Sequence, residues 1–336
     1  MSQKIMAICD IEEGYAFRMA EYMLEKVRLP YTLHLFTAAS ELQKFAGREQ
    51  IAVLLIAENA LKLLKQEYIR KQVAQIFVLQ ESEHKEQEDL CYISKYQSPE
   101  KVVQIMLESV MDLGDWNLKD TKKETTARMI GLYSPVKRCL QTSFALTLGQ
   151  ILAKEHRVLY LNLETCSGFG RLLKKEFAED IMDIMYYFLS AREKLALRIS
   201  STVQKIGALD YIPPTQYSLG LKEVTGKQWM DFLGDIAAIG QYEYIILDLG
   251  EGIQGLYELL KNCCKIYTIT RDDAFARAKL EQYEQMLKFN DLEDIAQKTV
   301  KCRFPKFREL PENLEMMTHG ELAAYVKSIV KEDIYE

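Results

Sequence analysis

The amino-acid sequence predicts an α/β protein of two units, each a parallel sheet covered by helices. Three observations carry that expectation. Short apolar runs alternate with amphipathic segments through most of the 336 residues, the pattern of strand–helix–strand units. The run Tyr-Ile-Ile-Leu-Asp-Leu-Gly at 244–250 is an apolar strand that delivers an aspartate at its C-terminal edge, as strands buried on both faces do. The stretch 112–126, Asp-Leu-Gly-Asp-Trp-Asn-Leu-Lys-Asp-Thr-Lys-Lys-Glu-Thr-Thr, is polar without sustained periodicity and reads as a linker. The expected domains are therefore 1–111 and 127–336.

In the first domain the apolar runs 5–9, 32–36, 51–56, 76–79 and 90–93 read as strands, and the segments 15–26, 39–45 and 99–111 as amphipathic helices. Their order and lengths resemble a response-regulator receiver domain of flavodoxin-like topology. That resemblance implies acidic residues after the first strand to hold Mg²⁺, an aspartate ending the third to accept phosphate, and a lysine after the fifth. Asp10, Glu12 or Glu13 suit the first set and Lys95 the last. The third strand ends Leu55-Ile56-Ala57-Glu58, with no aspartate, and Glu58 is too long and too late in the chain to be a good acceptor. The hydroxyl expected after the fourth strand is missing as well, since Leu79 is followed by Gln80 and Glu81. The domain reads as a pseudo-receiver used for docking or dimerisation, with Asp10 and Lys95 most simply taken as solvated loop charges.

In the second domain strands are expected at 129–133, 158–162, 209–212, 244–247, 266–270 and 300–304, and helices at 142–154, 180–190, 227–239, 255–262, 274–289 and 321–331. The segment joining the first strand to the first helix has the setting in which a phosphate loop binds anions at a helix N-terminus. Such a loop needs glycines, so that backbone N–H groups can converge, and a lysine that reaches the phosphates. Here Val136, Lys137, Arg138, Cys139, Leu140 and Gln141 fill the span without a glycine. Asp248 ends its strand as a Walker B aspartate does, in position to hold a Mg²⁺ shell or orient water.

These pieces resemble the MinD/ParA family of deviant-Walker ATPases. With the receiver-like domain in front they look most like its TadZ/CpaE subgroup, localisation proteins of Flp/Tad pilus assembly. In that family the loop reads Ser-Gly-Lys-Gly-Gly-Val-Gly-Lys-Thr-Thr. Ser134 matches its serine, Pro135 takes the first glycine, and Val136 takes the signature lysine that reaches across a dimer. Lys137 and Arg138 take the glycine pair, Cys139 the valine, Leu140 the last glycine and Gln141 the loop lysine, while Thr142 and Ser143 match the hydroxyl pair. The second family motif appears as Tyr160-Leu161-Asn162-Leu163-Glu164 and the third as Ile246-Leu247-Asp248-Leu249-Gly250.

The resemblance thus implies a phosphate site at Ser134, Lys137, Arg138, Gln141, Thr142, Ser143 and Glu164, with Mg²⁺ on Thr142 and Asp248 and with Asp248 as a vestigial Walker B residue. Both lysines and every loop glycine are replaced. Each lost charge-assisted hydrogen bond to phosphate costs about 1.5–3 kcal/mol, so two lysine losses weaken nucleotide binding by a factor on the order of 100 or more. The expectation is a degenerate site without a cofactor, ATP and Mg²⁺ being the ligands the frame would take, and without hydrolysis.

A net charge of -6 and a pI near 5.5 give no overall electrostatic footprint for nucleic acid. The N-terminus reads as neither signal peptide nor membrane span, and 324–333 lacks the basic amphipathic face of a membrane-targeting helix, so a cytoplasmic protein without direct membrane insertion is expected. Seven cysteines show no metal-type spacing and suggest free thiols, with Cys263 and Cys264 a packing element. His34, His84, His156 and His319 share no metal spacing. Met182, Met185, Tyr186, Tyr187 and Phe188 read as core, with a partner-binding surface as the alternative, and Ser167-Gly168-Phe169-Gly170, at the family's switch region, reads as a plain turn. The function that follows is a non-catalytic localisation or scaffold protein, a homodimer with partners in a secretion or pilus assembly. The alternatives are an active ATP-dependent dimerisation switch with a non-standard loop, and a regulatory binding module outside pilus biology.

Overall fold

The computed structural model describes residues 4–26, 31–81, 90–112, 127–311 and 313–333. The chain separates into two compact units, Met1–Asn117 and Leu118–Glu336. Apart from Asp112 the linker expected at 112–126 lies outside the described residues, as does His84.

The first unit holds five strands, β1 (Lys4–Cys9), β2 (Tyr31–Phe36), β3 (Ile51–Ala57), β4 (Val73–Gln80) and β5 (Cys91–Ser94), in the order β2-β1-β3-β4-β5. All four neighbouring pairs are parallel. This is the flavodoxin-like order, in which ligands sit at the carboxyl ends of the strands. The central β3, Ile-Ala-Val-Leu-Leu-Ile-Ala, is buried along nearly its whole length, which is why it is continuously apolar. The helix Ala39–Ala46 buries Ala39, Leu42 and Ala46, a three-and-four spacing that gives one apolar stripe. Two short helices, Glu58–Leu61 and Gln66–Gln72, fill a stretch where no element was expected; neither is longer than two turns, too short for a sustained apolar repeat.

The second unit holds β6 (Arg128–Leu132), β7 (Val158–Leu163), β8 (Gln204–Ile206), β9 (Leu209–Ile212), β10 (Tyr244–Leu249), β11 (Lys265–Thr270) and β12 (Thr299–Arg303), in the order β12-β11-β6-β10-β7-β9-β8. Every neighbouring pair is parallel except β8 and β9. That hairpin was not anticipated: β8 is three residues long and is joined to β9 through Gly207, whose φ of +60° suits the first central position of a tight hairpin turn.

The pleat divides the second unit into two cores. Leu159, Leu161, Leu163, Ile245, Leu247 and Leu249 face one of them. Val158, Tyr160, Tyr244 and Ile246 face the other, with Phe144, Leu148 and Leu152 of the helix Gln141–Leu152. Because β10 pairs in register with β7, Ile246 opposite Tyr160 and Asp248 opposite Asn162, Tyr160, Asn162 and Asp248 share the face that carries this helix. Cys263 is buried, donates its thiol to the Leu259 carbonyl at 3.3 Å, and lies where a Cβ on Gly131 of β6 would come within 2.9 Å of its Sγ. The reading of Cys263 as a packing element holds.

The helices Gly226–Gly240 and Leu256–Asn262 start in backbone contact. Gly255 has φ +85°, and a Cβ there would stand 2.3 Å from the Gly226 Cα. By contrast a Cβ on Gly168, at φ +70°, would meet nothing within 4 Å. Gly255→Ala is therefore expected to destabilise the protein by roughly 2–5 kcal/mol, overpacking added to backbone strain, against about 1 kcal/mol for Gly168→Ala. Urea unfolding of both variants checks the ordering.

Candidate functional site

The segment 133–140 is fastened to β11 before it turns. Thr268 donates its hydroxyl to the Tyr133 carbonyl at 2.9 Å, and Ser134 donates its Oγ–H to the Ile269 carbonyl at 2.6 Å while accepting from the Val136 N–H at 3.2 Å. Ser134 is thus buried and engaged on both sides. The chain then passes through three left-handed residues, Lys137 (φ +60°), Arg138 (φ +48°) and Leu140 (φ +65°). These are the three positions where the resembled loop carries its glycine pair and its last glycine. Side-chain-bearing residues held there cost on the order of 1–3 kcal/mol each. Cys139, buried between them, packs into the core beneath, and burial raises its thiol pKa. Leu140, at the N-cap position of the helix Gln141–Leu152, supplies no side-chain cap.

Asp248 lies beneath that mouth, 0% exposed. Its Oδ1 accepts from Gln141 Nε2 at 2.7 Å, and its Oδ2 accepts from the Tyr160 hydroxyl at 2.9 Å and from Asn162 Nδ2 at 3.1 Å. Gln141 Nε2 also reaches the Leu249 carbonyl at 3.1 Å, and Asn162 Nδ2 the Tyr160 oxygen at 3.0 Å. Burial pushes the Asp248 carboxyl above the ordinary carboxylate range, and hydrogen bonds from Gln141, Thr142 and Tyr160 pull it back in part. Burial, then the Asp248 charge, hold the Tyr160 phenol well above its usual value. Phe169 stacks on Tyr160 with ring centroids 5.7 Å apart and planes 14° from parallel, which fixes the hydroxyl on Asp248. Phe169 opens the helix Phe169–Leu173 behind Gly168, so the segment expected to be a plain turn is a helix start.

Glu164 stands at the rim. Its N–H donates to Asn162 Oδ1 at 3.0 Å, and its Oε2 accepts from the Thr142 hydroxyl at 3.2 Å. Burial first, and the Asp248 charge second, raise its pKa to about 7. Lys137 turns outward to an exposed ion pair with Glu251 at 2.5 Å, a kind of contact worth little. Arg138 is exposed, and Ser143 lies in the first helical turn, where its carbonyl accepts from the Thr147 hydroxyl at 2.7 Å. Of the residues expected at the site, Gln141, Thr142, Glu164 and Asp248 come together. Tyr160 and Asn162 join them; both stood in the second motif, and their even spacing from Val158 was the signal that they share its face.

In the first unit Asp10 and Lys95 are not the solvated charges expected. Asp10 is 0% and Lys95 5% exposed, and they pair at 2.9 Å. Glu58 pairs with Lys62 at 2.7 Å, one helical turn on. The aromatic and methionine residues of 182–188 divide: Met185 and Phe188 are buried core, whereas Tyr186 is 64% exposed.

No family model matches the chain, and no curated protein matches it. Solved structures do. A ParA family ATPase from Chlorobium tepidum TLS is similar at 18% identity and a TM-score of 0.43, over 61% of this chain and 92% of its own. A chain of the MinC:MinD cell division protein complex of Aquifex aeolicus is similar at 15% identity and a TM-score of 0.41, over 60% and 78%. A putative plasmid partition protein of Borrelia burgdorferi B31, bound to AMPPNP, is similar at 13% identity and a TM-score of 0.43, over 62% and 99%. The likeness is to ParA- and MinD-type proteins.

The raised Glu164 pKa makes stability depend on pH. Between the ordinary glutamate value of 4.5 and about 7 the folded state holds a proton that the unfolded state has released, so stability falls as pH rises through this window. Glu164→Gln removes the term. Its melting temperature relative to the parent is expected to rise from pH 4.5 to pH 8; thermal scans at the two pH values test this, and a constant difference contradicts it.

Proposed function

We propose that the protein is a non-catalytic localisation or scaffold protein of the type that serves Flp/Tad pilus or secretion assembly, built from a pseudo-receiver and a pseudo-ATPase and acting as a cytoplasmic homodimer. One observation carries the non-catalytic part of this reading: the Asp248 carboxylate is already occupied by Gln141, Tyr160 and Asn162. Mg²⁺ and ATP would need that carboxylate free to order the metal's water shell, and a cation at the position of Gln141 to meet the phosphates. Gln141 is neutral and directs its amide into Asp248, and Lys137 is drawn away to Glu251. The residues do not fit catalytic Mg²⁺–ATP chemistry.

The surface supports a protein partner. Tyr186 and Leu189 are exposed on the helix Ile181–Ser190, and Tyr217 and Leu219 are exposed on the segment hydrogen-bonded to its start through Ile181 N to Pro213 O and Gln216 N to Asp180 Oδ2. Exposed apolar side chains on adjoining segments are candidates for contact with another protein. Among the described residues no helix is long and apolar enough to cross a membrane.

The backbone favours one competing reading, a nucleotide-dependent dimerisation switch. The left-handed residues at 137, 138 and 140, the uncapped helix start and the Thr142 hydroxyl are features that an anion-binding loop would use. Calorimetric titration of the full chain with ATP and Mg²⁺ separates the two. No saturable binding is expected in the micromolar range; micromolar binding lost in Asp248→Ala overturns the pseudo-ATPase reading. Affinity capture from native cells is expected to recover a secretion or pilus component, and recovery of none counts against the pilus assignment.

A further inference from the structure

The first unit carries a second buried carboxylate at the carboxyl edge of a parallel sheet, and it is neutralised differently. Asp10 follows β1, Glu81 follows β4 and Lys95 follows β5; because these strands run parallel, all three residues emerge at one edge. Lys95 continues the ladder, its N–H donating to the Gln80 carbonyl at 2.9 Å. Asp10 Oδ1 accepts from the Glu12 N–H at 2.9 Å, which turns Glu12 back toward the same point. There the Lys95 ammonium meets Asp10 Oδ2 at 2.9 Å, Glu12 Oε2 at 2.9 Å and Glu81 Oε1 at 3.1 Å. The ammonium hydrogen-bonds Glu12 and Glu81 and is ion-paired with Asp10 Oδ2, which accepts no hydrogen bond from the described residues, so its charge is shared by three carboxylates. The Tyr15 ring lies alongside, its centroid 4.8 Å from Nζ.

A receiver-like frame implies Mg²⁺ at this edge, and the residues do not fit it. The point on which the carboxylate oxygens converge is held by Lys95, which is 5% exposed, and Glu58 after β3 is engaged with Lys62. We propose that Lys95 is the resident cation of this pocket: its ammonium stands where a divalent ion would be held, and the first unit keeps one charge state at its carboxyl edge without Mg²⁺ or phosphate. The proposal rests on the pseudo-receiver half of the functional reading. The titration that tests it uses no nucleotide, so its failure leaves the result on the second unit untouched.

Supporting this assignment, burial would lower the Lys95 pKa, but its contacts with Asp10, Glu12 and Glu81 raise it overall, and Glu12 is held below its ordinary value by the same lysine.

The experiment is calorimetric titration of the full chain with MgCl₂ at matched ionic strength. The parent is expected to give no saturable heat, whereas Lys95→Met is expected to gain a Mg²⁺ site with Kd on the order of 10⁻⁴–10⁻³ M, the weak end for oxygen-ligated cations. Adding Asp10→Asn to Lys95→Met removes the gained site. Saturable binding by the parent that Asp10→Asn abolishes overturns the proposal, and so does a folded Lys95→Met that gains none. Should Lys95→Met fail to fold without metal, refolding in Mg²⁺ but not in NaCl of equal ionic strength supports the proposal, and no recovery in Mg²⁺ overturns it.

Discussion

The second unit is organised around a carboxylate buried at the carboxyl edge of its central strand. A charge withdrawn from water is costly unless hydrogen bonds replace its hydration, and Asp248 draws that replacement from two separate elements. Gln141 comes from the first turn of a helix, Tyr160 and Asn162 from the neighbouring strand, and Phe169 holds the Tyr160 ring from a second helix. Each donor is correctly placed only while its own element is. The register of β10 on β7 and the seating of the helix Gln141–Leu152 are therefore tied to the charge they enclose, and packing and electrostatics in this region are one constraint.

The loop above Asp248 carries a cost of its own. Lys137, Arg138 and Leu140 occupy backbone conformations that glycine adopts without strain. They persist because both ends of the segment are fixed. Ser134 and Thr268 bind its entry to β11, Cys139 is packed into the core at its middle, and Gln141 is bonded to Asp248 at its exit. Residues with side chains thus stand at the three positions where an anion-binding loop would carry glycine.

Much of this was legible in the sequence, and the remainder has physical reasons for being hidden. The apolar run at 244–250 located β10 and Asp248 because a strand buried on both faces is continuously hydrophobic. The hairpin of β8 and the helices Glu58–Leu61 and Phe169–Leu173 were missed because each is too short for a repeat of its pattern to show. Tyr160 and Asn162 were visible as motif letters, yet their grip on Asp248 depends on the register between two strands distant in sequence. The burial of Asp10 and Lys95 was misjudged for a similar reason. Charged residues after a strand are ordinarily solvated, and their contact requires Lys95 to reach past β4 and β3 to the end of β1.

The two units hold a buried aspartate by opposite chemistry, and the difference has consequences for each. In the first, a lysine supplies a full positive charge, and Asp10, Glu12 and Glu81 share it. In the second, the hydrogen-bond donors to Asp248 are neutral, so its charge is solvated without being cancelled and acts on its surroundings; the raised pKa values of Glu164 and Tyr160 both include it as a cause. Carboxyl edges of parallel sheets are where α/β proteins place ligands, and in both units side chains of the chain itself fill that position. Chemistry at either edge would first have to displace an internal partner, whereas the exposed apolar residues on the helix Ile181–Ser190 and the segment beside it can engage another protein with both edges left as they are.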